Sequence, residues 1–350
     1  DSEVVATILE QIYNEDARLE VVSVVRSGEQ ALERLKNVAP DVISLDIRLP
    51  GMDGIEVAKR IMEERPTPIV VVAASVDERE SGISMNALRA GALAVVEKPV
   101  GMTNSDYDDM AAKLCRQLVL MSDVNLVRRR PTGEPTSWFS PAPGKLNGQR
   151  LRSYSAGHRF RAIGIAASTG GPNALVQVLG GLPADVPVPI MLVQHMTPSF
   201  LEGFVDWLAG IVPQKVVVAA NGERPVAGTV YVAPPDRHLC VVRDRLQCVA
   251  APHVAGQRPS GTVLLETMAR NYGTGCIGIV LTGMGSDGAR GLKEVFDAGG
   301  YTIVEDETTS IVFGMPGAAV SLGAAAIKLP LPEIADHLTR VMRIKERKPA

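Results

Sequence analysis

The fold is decided by one stretch, Ile163-Gly-Ile-Ala-Ala-Ser-Thr-Gly-Gly-Pro172. An apolar run typical of a buried strand ends at Ser168, and a helical pattern follows the glycines. The glycine pair lets the backbone approach closely, and Pro172 suits the first turn of a helix, where N–H groups attract negative charge. On this segment alone, Ser168 is either a nucleophile beside an oxyanion hole or a capping serine under a phosphate-binding turn.

Two later strands end in side chains that complete a catalytic set. His195 follows an apolar run that starts at Pro189, and Asp287 lies in a glycine-rich loop after the run that starts at Ile277. Taken singly, such a histidine is usually structural and such an aspartate is usually a helix cap. In an open parallel sheet, however, the carboxyl ends of strands converge at one crevice, so both side chains can meet Ser168.

These three residue types form one catalytic device. Histidine takes the serine proton, and a carboxylate on the other ring nitrogen fixes the histidine tautomer, so no cofactor is needed for the chemistry. The chain order Ser, His, Asp differs from the Ser, Asp, His order of α/β-hydrolases. We therefore predict a serine hydrolase on a different doubly wound, Rossmann-like α/β fold.

Composition narrows the class of protein. The 350 residues suffice for two cores, and a net charge of −3 gives no basic field for nucleic acid. The four cysteines lack C-x-x-C spacing, which indicates reduced thiols in the cytoplasm. Neither a membrane-spanning stretch nor a signal peptide is apparent. We expect a cytoplasmic monomer that neither binds nucleic acid nor inserts directly into a membrane.

The chain divides at a compositional break. Residues 122–158 carry clustered arginines, prolines and glycines with no sustained apolar period, which is typical of a flexible interdomain linker. Domains are expected at 1–121 and 159–345. The first domain alternates helices with predicted strands at 19–25, 41–45, 68–73 and 94–97.

One strand end in this first domain has a distinctive pattern. Asp46 ends a buried strand and is followed by the turn Leu49-Pro-Gly-Met-Asp-Gly54, and Lys98-Pro99 follows the last strand. These residues resemble the receiver domain of two-component response regulators. The resemblance implies a flavodoxin-like doubly wound parallel sheet, with Asp46 as the phosphoacceptor and Lys98 as the phosphoryl contact. It also implies Mg²⁺ held by Asp1 and Asp46, because a cation must neutralise the crowded oxygens, and a histidine kinase as phosphodonor.

The sequence departs from the receiver pattern at two places. The switch Ser/Thr position falls on Ala73 or Ala74, with Ser75 just beyond. We expect the coupling between phosphate and surface to be weakened or carried by Ser75. The first strand and the first acid of the metal pair belong before Asp1, so we expect a truncated or renumbered start. Without that central strand, two inner sheet edges are unpaired.

The second domain resembles the catalytic domain of the CheB protein-glutamate methylesterase family. The matching segments are Ile163 to Pro172, Gln194-His-Met196, Val232-Ala-Pro-Pro-Asp-Arg-His238, Arg258-Pro-Ser260, Leu281-Thr-Gly-Met-Gly-Ser-Asp-Gly288 and Val312-Phe-Gly-Met-Pro316. The resemblance implies that Ser168 is the nucleophile, His195 the base and Asp287 the residue that orients it. It also implies that Thr169, Gly170 and Met284 line the site and its oxyanion hole.

The resemblance further implies the substrate and the pathway. The expected reaction is phosphorylation-regulated hydrolysis of glutamyl methyl esters on the cytoplasmic domains of methylated chemoreceptors, with release of methanol. Some family members also deamidate glutamines. Two alternatives stay open: a phosphorylation-controlled module that binds receptors or a kinase without turnover, and a nucleotide phosphate loop at Ser168-Thr-Gly-Gly171. The absence of the lysine of a P-loop counts against the second alternative.

Overall fold

The computed structural model of the protein describes residues 2–73, 85–99, 104–124 and 159–342. The chain divides into two compact units, Asp1–Ser140 and Pro141–Ala350. Nearly all of the predicted linker, and with it the expected flexibility, lies outside the described residues. Within those residues, no helix combines the length and the apolar character needed to cross a lipid bilayer.

The first unit is built on a three-stranded parallel sheet. The strands, in sheet order, are β1 (Ile43–Leu45), β2 (Ile69–Ala73) and β3 (Ala94–Glu97). The helices are α1 (Glu3–Glu15), α2 (Gly28–Leu35), α3 (Gly54–Glu64), α4 (residues 85–89) and α5 (Asn104–Ser122). Every residue of the central strand β2 is buried, as expected for a strand with a neighbour on each side and helices over its faces.

The predicted strand over residues 19–25 is wrong. This segment joins no ladder, and Val22 and Val24 are 50% and 46% exposed. A groove of about 280 Å³ is lined by this segment, by α1 and by β1. A strand exists only through its neighbour, and here the N–H groups of residues 19–25 have no adjacent strand to join. The groove lies where the order 2-1-3-4-5 of receiver sheets places its first strand.

The second unit is built on a seven-stranded parallel sheet. Its strands are β4 (Ala162–Ala167), β5 (Ile190–Gln194), β6 (Lys215–Val218), β7 (Thr229–Val232), β10 (Cys276–Val280), β11 (Tyr301–Glu305) and β12 (Ile327–Leu329). An antiparallel hairpin comprises β8 (His238–Val242) and β9 (Arg245–Val249). The helices are α6 (Gly171–Gly180), α7 (Pro198–Ala209), α8 (Gly261–Tyr272), α9 (Ala289–Asp297), α10 (Met315–Ser321) and α11 (Leu331–Met342).

The strand order positions the site. The sheet runs β12-β11-β10-β4-β5-β7-β6, so the chain leaves β4 toward β5 on one side and later returns to β10 on the other. This reversal makes the carboxyl end of β4 the switch point where a ligand crevice forms. Ala167 pairs with Gln194 of β5, and Ala166 pairs with Val280 of β10, so the three strands end at nearly the same level. The predicted doubly wound architecture is confirmed.

Close packing of α8 against α9 depends on Gly291. A Cβ added at Gly291 would lie 2.5 Å from the Thr262 carbonyl oxygen and 2.8 Å from the Leu265 Cβ. Backbone cannot yield to such a contact without moving one helix. Because α8 and α9 flank the end of β10, this packing supports the loop that carries Asp287.

Substitution of Gly291 tests this packing. We expect Gly291→Ala to lower the free energy of unfolding by about 1–3 kcal/mol through overpacking. The matched control is Gly180→Ala in α6, where nothing lies within 4 Å of the added methyl. This control should be neutral or stabilising by up to about 1 kcal/mol, because alanine favours helix. Urea unfolding of the full chain measures both, and equal midpoints for the two variants would contradict the packing argument.

Candidate active site

Ser168 lies in the turn directly after β4. Its main-chain N–H donates to the Thr282 carbonyl at 3.0 Å, and its carbonyl accepts from Gly171 N at 2.8 Å. Gly170 has a φ of +78°, and a Cβ there would lie 2.7 Å from Ile311 Cδ1. The turn therefore requires glycine at Gly170, both for its left-handed backbone and for space. Ser168 is half-buried at the base of α6.

His195 follows β5, and its main chain is held beside the end of β4. Its N–H donates to the Ala167 carbonyl at 3.0 Å, which continues the ladder past the end of β5. The imidazole Nε2 lies 2.8 Å from Asp287 Oδ2. The structure thus brings together the predicted base and the predicted carboxylate, which are 92 residues apart in the sequence.

The Asp287 carboxylate is held at the amino terminus of α8. Oδ1 accepts from Ser260 Oγ at 2.6 Å and from Thr262 N at 3.0 Å. Oδ2 accepts from Gly261 N at 2.7 Å in addition to the His195 contact. The first N–H groups of a helix lack partners within the helix and carry partial positive charge, so they suit a buried anion.

These contacts determine the ionisation of Asp287, which is 2% exposed. Burial raises the pKa of the Asp287 carboxyl. The hydrogen bond and charge of His195 and the donors Ser260 and Thr262 lower this pKa by more than burial raises it, to about 2. Asp287 is therefore a carboxylate at neutral pH, as a residue that orients a histidine must be.

The hydrogen bond expected between Ser168 and His195 is not formed in the structure. His195 Nδ1 is shielded from solvent and has no hydrogen-bond partner in the described part of the chain. Because Nε2 is engaged with Asp287, Nδ1 is the nitrogen left to act as a base. Catalytic hydrogen bonds of this kind often tighten only when substrate is bound, so an open contact does not exclude the pair.

Gln194 and Thr282 fasten the turn that carries Ser168. Gln194 Nε2 donates to the Ser168 and His195 carbonyls, each at 2.9 Å, and so links the turn after β4 to the turn after β5. Thr282 Oγ1 donates to the Thr169 carbonyl at 2.9 Å and accepts from Val312 N at 3.0 Å. Thr282 N in turn donates to a buried Glu305 carboxyl oxygen at 2.7 Å.

The other predicted site residues surround the same turn. Thr169 is half-buried and Gly170 is buried, both directly after Ser168. Met284 is 40% exposed in the loop between β10 and Asp287. The main-chain N–H groups of Gly170 and Met284 donate to no other described residue, whereas Ser168 N and Gly171 N are engaged.

In the first unit, Asp46 and Lys98 meet. Lys98 Nζ lies 2.6 Å from Asp46 Oδ2, and the two side chains are only 9% and 18% exposed, respectively. Asp46 Oδ1 accepts from Arg48 N at 3.2 Å. Lys98 N donates to the carbonyl of Ala73, the last residue of β2, at 2.9 Å. Ala74 and Ser75, the other candidates for the switch position, lie outside the described residues.

Each of the two units matches the model of a known protein family. The model of the CheB methylesterase matches residues 163–338, and that of the response regulator receiver domain matches residues 1–105. A relative from Paramagnetospirillum magneticum, named protein-glutamate methylesterase/protein-glutamine glutaminase 2, is 56% identical over 97% of this chain and 94% of its own. The chain belongs to the CheB methylesterase family.

Further comparisons agree with this membership. A Myxococcus xanthus relative, named protein-glutamate methylesterase/protein-glutamine glutaminase 4, is 41% identical over 98% of this chain and 95% of its own. The crystal structure of the Thermotoga maritima CheB methylesterase catalytic domain is 34% identical, with a TM-score of 0.50, over 53% of this chain and 100% of that domain. The two resemblances and the predicted enzyme class, a methylesterase, are confirmed.

A receiver in a CheB methylesterase implies a phosphorylation site, for which Mg²⁺ is expected at Asp1 and Asp46. Asp1 lies outside the described residues. Within the described ranges, no group of three or more His, Cys, Asp and Glu side chains could hold a metal ion. Asp46 offers oxygen donors of the kind Mg²⁺ prefers, although Lys98 engages one of them. The metal therefore stays a prediction.

Sequence reasoning missed four residues that support the site: Gln194, Ser260, Thr282 and Glu305. A signal existed for Ser260, because a serine just before an apolar helical run is typical of an N-cap, and its side chain also accepts from Val263 N. Glu305 ends an apolar strand, as Asp46 does. Nothing in the spacing of Gln194 or Thr282 indicates that they would bind main-chain groups of distant turns.

The buried Asp287 carboxylate predicts a specific acid sensitivity. Its pKa is about 2 in the folded protein against an ordinary value of 3.8, so its contribution is present above about pH 4 and is lost as the pH falls through 2. We expect wild type to exceed Asp287→Asn by about 2 kcal/mol in free energy of unfolding at pH 5, with the difference vanishing near pH 2.

Urea unfolding followed by circular dichroism across this range measures the difference. The control is Asp206→Asn, which replaces an exposed carboxylate on α7. The Asp206 variant should parallel wild type at every pH. A constant gap between wild type and Asp287→Asn would show that the contribution is not electrostatic.

Proposed function

We propose that this chain is a phosphorylation-regulated protein-glutamate methylesterase that acts on methylated chemoreceptors through Ser168, His195 and Asp287. One observation carries the proposal: the 2.8 Å contact of His195 with a buried Asp287 carboxylate, beside the strand-end turn that presents Ser168. The names of the relatives support the substrate class, a glutamyl methyl ester of a protein. The reaction needs neither a cofactor nor nucleic acid.

The reaction begins with proton transfer from the Ser168 hydroxyl to His195 Nδ1 as Oγ attacks the ester carbonyl carbon. The tetrahedral oxyanion is stabilised by main-chain N–H groups at the start of α6 and in the Met284 loop. Gly170 N and Met284 N are the proposed donors, since Ser168 N and Gly171 N already donate elsewhere. Asp287 stabilises the imidazolium through Nε2.

Collapse of the intermediate breaks the bond to methoxide, which takes the proton from His195 and leaves as methanol. Water then attacks the acyl-enzyme and gives its proton to His195, and the second collapse returns that proton to Ser168 Oγ. The product is the free γ-carboxylate of the receptor glutamate. The same steps with ammonia as the leaving group would deamidate glutamine, the second activity in the relatives' names.

Control of this reaction is proposed to reside in Asp46. A histidine kinase would transfer a phosphoryl group to Asp46, and the ammonium of Lys98, 2.6 Å from the carboxylate, would then contact the phosphoryl oxygens. Exchange of a carboxylate contact for a phosphoryl contact changes the charge that Lys98 neutralises. The phosphorylated and unphosphorylated receiver can therefore stabilise different conformations of the receiver surface.

Removal of the nucleophile tests the proposed chemistry. We expect Ser168→Ala to lower methanol release from a methylated receptor cytoplasmic fragment by at least about 10³-fold while the fold is retained, as in other serine triads. The control is Ser286→Ala, an exposed serine in the loop beside Asp287. It should retain wild-type turnover and fluorophosphonate labelling. Substantial turnover by Ser168→Ala would rule out Ser168 as nucleophile, and receptor binding without any turnover would favour the binding-module alternative.

Removal of the phosphoacceptor tests the proposed control. A small phosphodonor should raise the methanol release rate of the intact protein, and Asp46→Ala should not respond to it because the attacking carboxylate is gone. Asp53→Asn is the control, since this turn residue caps α3 through Glu56 N and does not contact Lys98. A phosphodonor response in Asp46→Ala equal to that of wild type would place the phosphorylation elsewhere.

A further inference from the structure

A second histidine lies behind the catalytic carboxylate. Ser260, which donates to Asp287 Oδ1 at 2.6 Å, is itself held through its main-chain N–H, which donates to His238 Nδ1 at 3.2 Å. His238 opens strand β8. A chain of contacts therefore runs from His238 through Ser260 and Asp287 to His195.

The contacts of His238 determine its tautomer. Its Nε2 lies 3.0 Å from the Pro252 carbonyl oxygen, which can only accept, so Nε2 carries the proton and donates. Nδ1 then holds a lone pair, which the Ser260 N–H requires. Both ring nitrogens are engaged, and each fastens one end of the segment 252–260 to the strand β8.

Burial excludes a direct role for either residue in the reaction. His238 is 1% exposed and Ser260 is fully buried, so neither side chain can reach a receptor substrate. Any effect of His238 on turnover must pass through Ser260 and the start of α8. That helix start is where three of the four groups that donate to Asp287 are located.

We propose that His238 is a positioning residue for catalysis. Its Nδ1 holds Ser260, and thereby the amino terminus of α8, in the position from which the donors of this helix start bind the Asp287 carboxylate. This inference rests on the proposed function, because it assigns His238 to the same reaction. Displacement of the carboxylate moves the hydrogen-bond partner of His195, and small displacements of a catalytic group have large effects on rate.

Two amide substitutions separate this role from a merely structural one. The amide oxygen of Asn can replace Nδ1 as the acceptor for Ser260 N, whereas the longer Gln places its amide nitrogen near Nε2 as the donor to Pro252. His238→Asn thus keeps the contact that the proposal requires, and His238→Gln keeps the other one. A structural role in holding the 252–260 segment would favour Gln at least as much as Asn.

The experiment measures kcat and KM for methanol release by the full chain. We expect His238→Gln to lose about 10- to 100-fold in kcat with KM unchanged, and His238→Asn to remain within about threefold of wild type. His253→Gln, which alters an exposed histidine next to Pro252, is the control and should match wild type. Ser260→Ala combined with His238→Gln should lose little beyond the larger single effect, because both act on Asp287 by one route.

Labelling of Ser168 by a fluorophosphonate gives the same ranking without receptor, and thermal unfolding shows that each variant is folded. Equal kcat for the Asn and Gln variants, or a higher kcat for Gln, would overturn the role of His238. Failure of the proposed function is distinct from this outcome. In that case wild type would release no methanol, or Ser168→Ala would release it at the wild-type rate.

Discussion

The chemistry proposed for the second unit depends on the hydrogen bonds that hold one buried carboxylate, Asp287, at the start of helix α8. An anion as enclosed as Asp287 is tolerated only if its oxygens are fully engaged, because transfer of an unpaired charge out of water costs several kcal/mol. Here α8 supplies two main-chain donors, Ser260 supplies a hydroxyl and His195 supplies the ring N–H. The same contacts that make burial tolerable fix the direction in which the histidine points. Stability and orientation thus come from one set of hydrogen bonds.

The sheet determines which residues can share that site. Because β4 lies between β5 and β10 and all three run parallel, the turns that follow them meet at one edge. Side-chain hydrogen bonds between the turns then restrict the conformations of these turns, as those of Gln194 and Thr282 illustrate. Each of these residues binds main-chain atoms of turns distant in sequence. The geometry is therefore a property of the sheet edge as a whole, and the side chains of Ser168, His195 and Asp287 only complete it.

Much of this arrangement could be predicted from the sequence, and the exceptions have a common cause. Strand ends before Ser168, His195 and Asp287 are visible as apolar runs, and convergence at a parallel sheet edge follows from topology alone. The pairing of His238 with Ser260 could not be anticipated, because it joins a ring nitrogen to a main-chain N–H with no periodic signal. The strand expected at residues 19–25 failed for a related reason. A run rich in valine specifies only that a segment suits a sheet, and the neighbour that completes the sheet is a nonlocal condition.

The contact of the Asp287 carboxylate with Nε2 has a consequence for the mobility of His195, the proposed base. In an imidazole, Nδ1 is bonded to the same ring carbon that carries the side-chain stem, whereas Nε2 is at the far tip. A histidine anchored at its tip has a short lever arm at the nitrogen that takes the proton, so a given rocking of the ring displaces that nitrogen little. A half-turn of the ring about the Cβ–Cγ bond would put Cδ2 in the place of Nδ1 and Cε1 in the place of Nε2, and so would break the buried contact with Asp287. In the proposed mechanism, proton transfer is thus confined to one side of a tethered ring, and the approach of the serine hydroxyl must adapt to it.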